Sequence, residues 1–310
     1  MQMGSGERAL KRLIVNADDF GYTRGVNRAI LEACRNGVVT STSLLANGPA
    51  FEDAVEIARG EQRLDVGCHL NFVEGRPVSP AEQVPHLVAA DGRFWNARQL
   101  AIRLLRRAVP AIELEREASA QLEKLLHAGL RPSHVDTHKH THIHPRVADA
   151  VARAARRFGV GWIRRPFENW MPRGAPGSSL RRLGVSSLRW FSSGFERRMA
   201  AQGFSMPDFF TGIVLTGRLT KQAFAETVAA LQPGVTELMC HPGYCDAELE
   251  ESTTRLKRER ELERETVTDG TWQARLREGG VVLTRFAEMN ASRELTPNPL
   301  PAVPAPALRE

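Results

Sequence analysis

Strand-like and helix-like stretches alternate along the chain almost from end to end. Arg12–Ala17, Val38–Ala46, Leu64–Phe72, Ser133–His138, Val160–Arg165, Thr211–Thr216, Val235–His241 and Val281–Phe286 read as strands. Between most of them lie the helix-like stretches Val26–Asn36, Phe51–Arg59, Ile112–His127, Arg146–Phe158, Lys221–Leu231 and Leu256–Glu265. The punctuation agrees, with Pro110 and Pro145 just before helices and Gly37, Gly129 and Gly159 just after them. Strands separated by crossover helices pair in parallel and make an α/β fold. Seven or eight such units fit a distorted (β/α) barrel, closed or nearly closed. A doubly wound sheet would carry a Gly-rich turn after its first strand, where this chain has Asp18-Asp19-Phe20-Gly21.

Two stretches break the rhythm. Val73–Arg98 is a long Pro- and Gly-containing loop, of the kind that borders a substrate. Pro166–Met206 joins a basic run to Trp170, Met171, Trp190, Phe191, Phe195, Met199 and Phe204. It reads as a lid, a homodimer contact or a surface for an anionic or lipid-linked partner, with an inserted subdomain burying its own aromatics as the plain alternative. The expected organisation is a flexible start over 1–11, one barrel domain over 12–290 with an insert about 167–208, and a disordered Pro/Ala-rich tail over 291–310.

Composition narrows the classes. Hydrophobic residues at 42% and charged residues at 25% are ordinary for a globular chain, and no apolar run approaches the roughly 20 residues that cross a bilayer. With neither a secretory start nor cysteine-pair spacing among Cys34, Cys68, Cys240 and Cys245, the expectation is a cytoplasmic protein with reduced thiols. The formal charge of +6 is uneven, because Arg153–Arg198 holds eleven Arg and two acids. A nucleic-acid partner is therefore not expected; one basic segment, open to peripheral membrane contact, is.

The candidate chemistry falls at strand ends, where parallel barrels keep their active sites. Asp18 and Asp19 close the first strand, His69 the third, Asp136 and His138 the fourth, and His241 the seventh. A lone histidine is more often structural than a ligand, but four strand ends carrying such groups together point to one site. Side chains alternate along a strand, so Cys68 and Cys240 face away from whatever His69 and His241 face, and a cysteine nucleophile is not expected. The run His134-x-Asp136-x-His138-x-His140-x-His142-x-His144 would share one face if extended. Its neighbours would then stand roughly 6.6 Å apart, too far for one ion to take more than one or two of them. The others become supporting groups, substrate contacts or, for His144, the start of the next helix. An Asp with two His leaves coordination positions open for water and substrate, the pattern of a catalytic site. Such a metal lowers the pKa of bound water and polarises a carbonyl, leaving Asp18 as general base and His241 as general acid.

At these residues the chain resembles the YdjC/ChbG family of carbohydrate deacetylases. The resemblance lies in Leu13–Gly21, Gly37–Leu44, Gly67–Leu70, Pro132–His140 and Cys240–Tyr244, densely over about 12–166 and loosely over 211–287. It implies a distorted (β/α) barrel and metal-dependent N-deacetylation of acetylamino sugars such as chitin disaccharides. It also implies Asp19, His69 and His138 as metal ligands and Asp18 as base. Arg164 is a candidate orienting or oxyanion group. The resemblance suggests Mg²⁺, whereas two imidazoles and a carboxylate suit Zn²⁺ equally. Gly75–Val78, Asp91–Phe94 and His138-Lys139-His140 look like the hopanoid-biosynthesis-associated branch, which implies an N-acetylated saccharide or a glycolipid head group as partner. The rival readings are another metal hydrolase or isomerase on the same barrel, a non-catalytic metal or glycan binder, and a nucleic-acid or membrane-surface binder using the Arg-rich segment.

Overall fold

The computed structural model describes residues 10–168, 170, 184–186 and 189–291. Residues 1–9 of the expected flexible start and the tail from 292 onward lie outside the described residues, as does Met171, while Lys11 at the end of that start already belongs to the first strand.

The first strand, β1 (Lys11–Phe20), is the spine, buried from Leu13 onward. It is followed by α1 (Arg24–Asn36), β2 (Ser41–Leu44), α2 (Phe51–Gly60), β3 (Asp65–Leu70), α3 (Ala97–Leu105), α4 (Ala111–His127), β4 (Val135–Thr137) and α5 (Pro145–Arg157). Then come β5 (Phe209–Thr211), β6 (Gly234–Cys240) and β7 (Val281–Leu283), with further helices at Ser192–Ala201, Lys221–Ala229, Ala247–Glu251, Glu259–Val267, Thr271–Glu278 and Phe286–Ala291. The strands pair in parallel in the order β4-β3-β2-β1-β6-β5, with β7 on the first half of β1 and β2 on its second half. The sheet curls round on itself: Val135 bridges Ile163 beyond β4, and Trp162 bridges Ser205, just ahead of β5. This is the distorted parallel barrel read from the sequence.

Strand boundaries differ from the expected ones for local reasons. Val160–Arg165 forms only the two bridges at Trp162 and Ile163, not a full strand. The strand expected at Thr211–Thr216 lies at Phe209–Thr211, because Gly212 takes φ +132° and turns the chain away. Helix α3 carries a capping box at Asn96 and Gln99, a helix-start signal just inside the stretch read as loop.

Period-two alternation sorts β1 between two environments. Leu13, Val15 and Ala17 join the large apolar layer packed against the helices, together with Cys68, Leu238 and Cys240. Ile14 belongs instead to a small plug with Trp162, Val235 and Phe286 inside the barrel. Above that plug the interior turns polar, with Asn16, Asp18, Ser43, His69, His134, Asp136, Arg164 and Glu237 all buried. Buried polar groups in such number must satisfy one another.

The insert divides. On the helix Ser192–Ala201, Phe195 and Met199 are buried, as is Phe204 beyond it, while Trp190 is 88% and Phe191 64% exposed. Among the described residues no helix is long and apolar enough to cross a membrane, and all four cysteines are free thiols.

Candidate metal centre

Asp18 and Asp19 are adjacent in sequence, and regular alternation would send them to opposite faces. A register irregularity between Ala17 and Phe20, with Asp19 at φ +67°, turns the end of β1 so that both serve one site. Asp19 Oδ1 lies 3.1 Å from His138 Nδ1 and 3.5 Å from His69 Nε2, and those two nitrogens are 3.2 Å apart. Three ligands bonded at about 2.1 Å with angles of roughly 95–115° would show such separations. Asp19 Oδ1 is buried and makes no regular hydrogen bond among the described residues; the polar atoms it faces are the two imidazole nitrogens. A buried carboxylate oxygen converging with two imidazole nitrogens fits a divalent cation.

Each of the three side chains is held through its other polar atom. Arg260 Nη2 donates to Asp19 Oδ2 at 2.6 Å. Asp136 Oδ1 is 2.7 Å from His69 Nδ1. Glu74 Oε2 is 3.1 Å from His138 Nε2. Carboxylates behind imidazoles fix the ring orientation and raise ligand basicity. Burial would raise the Asp19 pKa, but Arg260 and His138 outweigh it and hold the carboxyl well below its usual value. Burial likewise opposes charge on His138, yet Asp19 and Glu74 lift it to about 9.

Asp18 sits beside this cluster on Arg164. The guanidinium donates to Asp18 through Nη1 at 2.7 Å and Nη2 at 2.6 Å, to Glu237 through Nε at 2.7 Å, and pairs with Asp136 at 2.6 Å. Burial is overcome by Arg164, so Asp18 stays below the usual carboxylate range. Arg164 is fully buried. Its donors are turned to carboxylates, whereas an oxyanion-binding Arg would need N–H groups directed at substrate.

His241 follows β6, its backbone N–H donating to Glu263 Oε2 at 2.6 Å. Its Nδ1 is buried with no hydrogen-bond partner among the described residues. Burial pushes it down to about 4 against the pull of Asp19 and Asp18, so the resting imidazole is neutral at pH 7. Neutral imidazole receives a proton before it can deliver one.

The histidine run does not stay extended. Strand β4 ends at Thr137, and His138–Ile143 forms a 3₁₀ turn with Lys139 at φ 54° and His140 at φ 52°. The six alternating side chains therefore do not share one face. His134 stacks on Phe286, His142 contacts Thr137 Oγ1 and the Arg164 carbonyl, and His144 caps α5. Cys68 and Cys240 are buried on the helix side, and burial drives both thiols well above their ordinary value.

Three residues of the site had no clear sequence signal. Glu74 lies in the long loop, and its only hint was that the loop was expected near substrate. Arg260 and Glu263 sit one turn apart on Glu259–Val267, which reads as a solvated charged helix but buries both.

A sequence model of the YdjC-like protein family matches residues 12–278. A carbohydrate deacetylase of Geobacillus stearothermophilus is 36% identical over 276 residues, covering 89% of this chain and 96% of that one. A carbohydrate deacetylase of Mus musculus is 34% identical over 257 residues, covering 75% and 78%. Among solved structures, an Enterococcus faecalis V583 protein provisionally assigned to cellobiose-phosphate cleavage superposes with a TM-score of 0.70 at 27% identity, over 90% of this chain and 99% of that one.

Proposed function

The chain belongs to the YdjC-like protein family, and from that premise we propose that it is a carbohydrate deacetylase, hydrolysing the acetamido group of an N-acetylated sugar to amine and acetate with the help of one divalent cation. The carrying observation is the buried Asp19 Oδ1 converging with His69 Nε2 and His138 Nδ1, with ionised Asp18 beside them. Carbohydrate deacetylases aligned over nine-tenths of the chain support the sugar class.

Asp19, His69 and His138 would hold the cation, which supplies Lewis acidity toward the amide carbonyl and the attacking water. Asp18 takes the proton from that water, its carboxylate kept ionised and oriented by Arg164. His241, neutral at rest, takes a proton from solvent and passes it to the departing nitrogen, while Asp18 later returns the proton it took to solvent. We assign the activity to one barrel domain over 12–290, with the segment about 167–208 as its insert.

The substrate reading covers free chitooligosaccharides and lipid-linked N-acetylglucosamine. Exposed Trp190 and Phe191 on an Arg-rich segment favour contact with a glycolipid head group at a membrane surface, since such rings suit the water–lipid boundary. Acetate release from N-acetylglucosamine oligomers and from the same sugar in anionic liposomes, each with and without chelator, tests the assignment. Elemental analysis of the purified protein identifies the cation. No acetate from any N-acetylated sugar by the metal-replete protein would overturn it.

A further inference from the structure

Both imidazoles of the centre have a carboxylate behind them, but the two carboxylates differ. Asp136 lies within the barrel on β4, one residue from the strand's end. Glu74 belongs to the loop after β3 and reaches the site from outside the sheet. Its backbone is fixed at both polar groups: Asn47 Nδ2 and Asn71 Nδ2 donate to its carbonyl at 3.0 and 2.9 Å, and its N–H donates to Asn71 Oδ1 at 3.1 Å. Its carboxylate then gathers four groups from three other loops. Tyr22 and Thr253 each donate to Oε1 at 2.9 Å. Oε2 accepts from Lys139 Nζ at 2.8 Å and faces His138 Nε2 at 3.1 Å.

A neutral imidazole offers one N–H and one lone pair. An ionised carboxylate only accepts, so the nitrogen facing Glu74 must carry the proton. The lone pair then falls on Nδ1, the atom turned toward Asp19 and His69. His69 is arranged with opposite polarity, its Nδ1 on Asp136 and its Nε2 toward the centre. Without Glu74, His138 could take either tautomer and swing about its χ angles, because no other described side chain is hydrogen-bonded to its Nε2.

We propose that Glu74 is a positioning residue for the cation: it fixes His138 as the Nε2–H tautomer and aims Nδ1 at the centre. This rests on the metal reading of Asp19, His69 and His138. Loss of a group that orients a metal-bound histidine typically weakens affinity about 10–100-fold.

The test is titration of the metal-free full chain with Zn²⁺ alone, read by calorimetry. Glu74→Ala is expected to weaken binding about 10–100-fold, and the isosteric Glu74→Gln, which keeps an acceptor oxygen, by an intermediate factor. Tyr22→Phe, Thr253→Val and Lys139→Met each remove another partner of the same carboxylate and are expected to stay within about threefold of the parent. A second readout is the imidazole nitrogen resonances of His138 in the metal-free protein above pH 9, where the ring is neutral; they should show one Nε2–H tautomer in the parent and a mixture in Glu74→Ala. Parent-like affinity in Glu74→Gln and Glu74→Ala, or equal weakening by the three control variants, would overturn the proposal; the latter would mean that Glu74 only clamps the loops. If His138→Ala itself binds Zn²⁺ like the parent, the metal reading fails, which is a separate result.

Discussion

Two neighbouring aspartates are brought to one site by one backbone dihedral. Had β1 stayed regular, Asp19 would have followed Ala17 toward the helices, and only Asp18 would have faced the interior. The left-handed φ of 67° at Asp19 brings both carboxylates to the mouth, at a strain of order 1 kcal/mol or more. Asp18 is held by Arg164 on both oxygens, so Asp18→Asn should keep the cation at a parent-like metal-to-protein ratio and lower kcat by ~100-fold or more. Unimpaired acetate release by that variant would remove Asp18 from the chemistry. His241 is tested through the leaving group. If it protonates the amine, His241→Asn should lose ~100-fold or more on an N-acetylated sugar but far less on a nitrophenyl acetate, whose leaving group needs no proton. Equal losses on both would assign His241 another role. Gly67 shows that a motif glycine can be there for space. A Cβ at that position would lie 2.3–2.5 Å from the His134 ring, which is stacked on Phe286 at 3.9 Å. Gly67→Ala should therefore cost about 1–3 kcal/mol in a denaturant melt, and a neutral result would mean that the ring moves freely.

At the scale of elements, what could be read in advance depended on how local its cause was. The parallel barrel was legible because each strand and helix signal is local, and short crossovers leave few topologies. The meeting of Asp19, His69 and His138 was legible because strand ends in such a barrel converge on one mouth. The path of the histidine run past its strand was left open because two left-handed residues, Lys139 and His140, end the alternation, and a left-handed Lys has no local signal. Glu74 and Arg260 were missed because their partners lie 64 and 241 positions away. The long loop is a related case. Helix α4 holds it with one buried polar face: Glu117 accepts from the Val78 and Ser79 N–H groups, Glu113 accepts from that of His86, and Gln121 contacts both the N–H and the carbonyl of Asn71. Positions 113, 117 and 121 recur at four-residue spacing, so one helix face replaces the hydrogen bonds that a strand partner would give. Glu117→Ala leaves the buried Ser79 N–H and the half-buried Val78 N–H without acceptors and should cost about 1–3 kcal/mol. Hydrogen exchange should rise over residues 73–86 before it rises in β1; unchanged protection there would mean that the loop is held by other contacts.

At the scale of the whole molecule, the proposed cation would make stability depend jointly on metal and pH. In the metal-free protein, burial disfavours charge on His138, but Asp19 and Glu74 raise its pKa from 6.5 to about 9. A folded-state value raised in this way contributes stability that is fully present below pH 6.5 and fades as the pH climbs through about 9. The cation needs His138 Nδ1 without a proton, so proton and cation compete for one atom. At pH 7, binding should release a proton, seen as a dependence of the calorimetric heat on the ionisation enthalpy of the buffer. Apparent affinity should rise from pH 6 toward 9 as that competition weakens. A cation at 100 times its dissociation constant adds about 2.7 kcal/mol to unfolding, or about 5 °C in Tm for a chain of this size. Chelation should remove that gain and re-addition restore it. The gain at fixed cation concentration should be larger at pH 9 than at pH 6, because the metal-free reference weakens over the same interval in which affinity grows. Scanning calorimetry at pH 6, 7.5 and 9, with and without the cation, measures it directly; a gain that does not change with pH would take His138 out of the ligand set while leaving Asp19 and His69 to be tested alone.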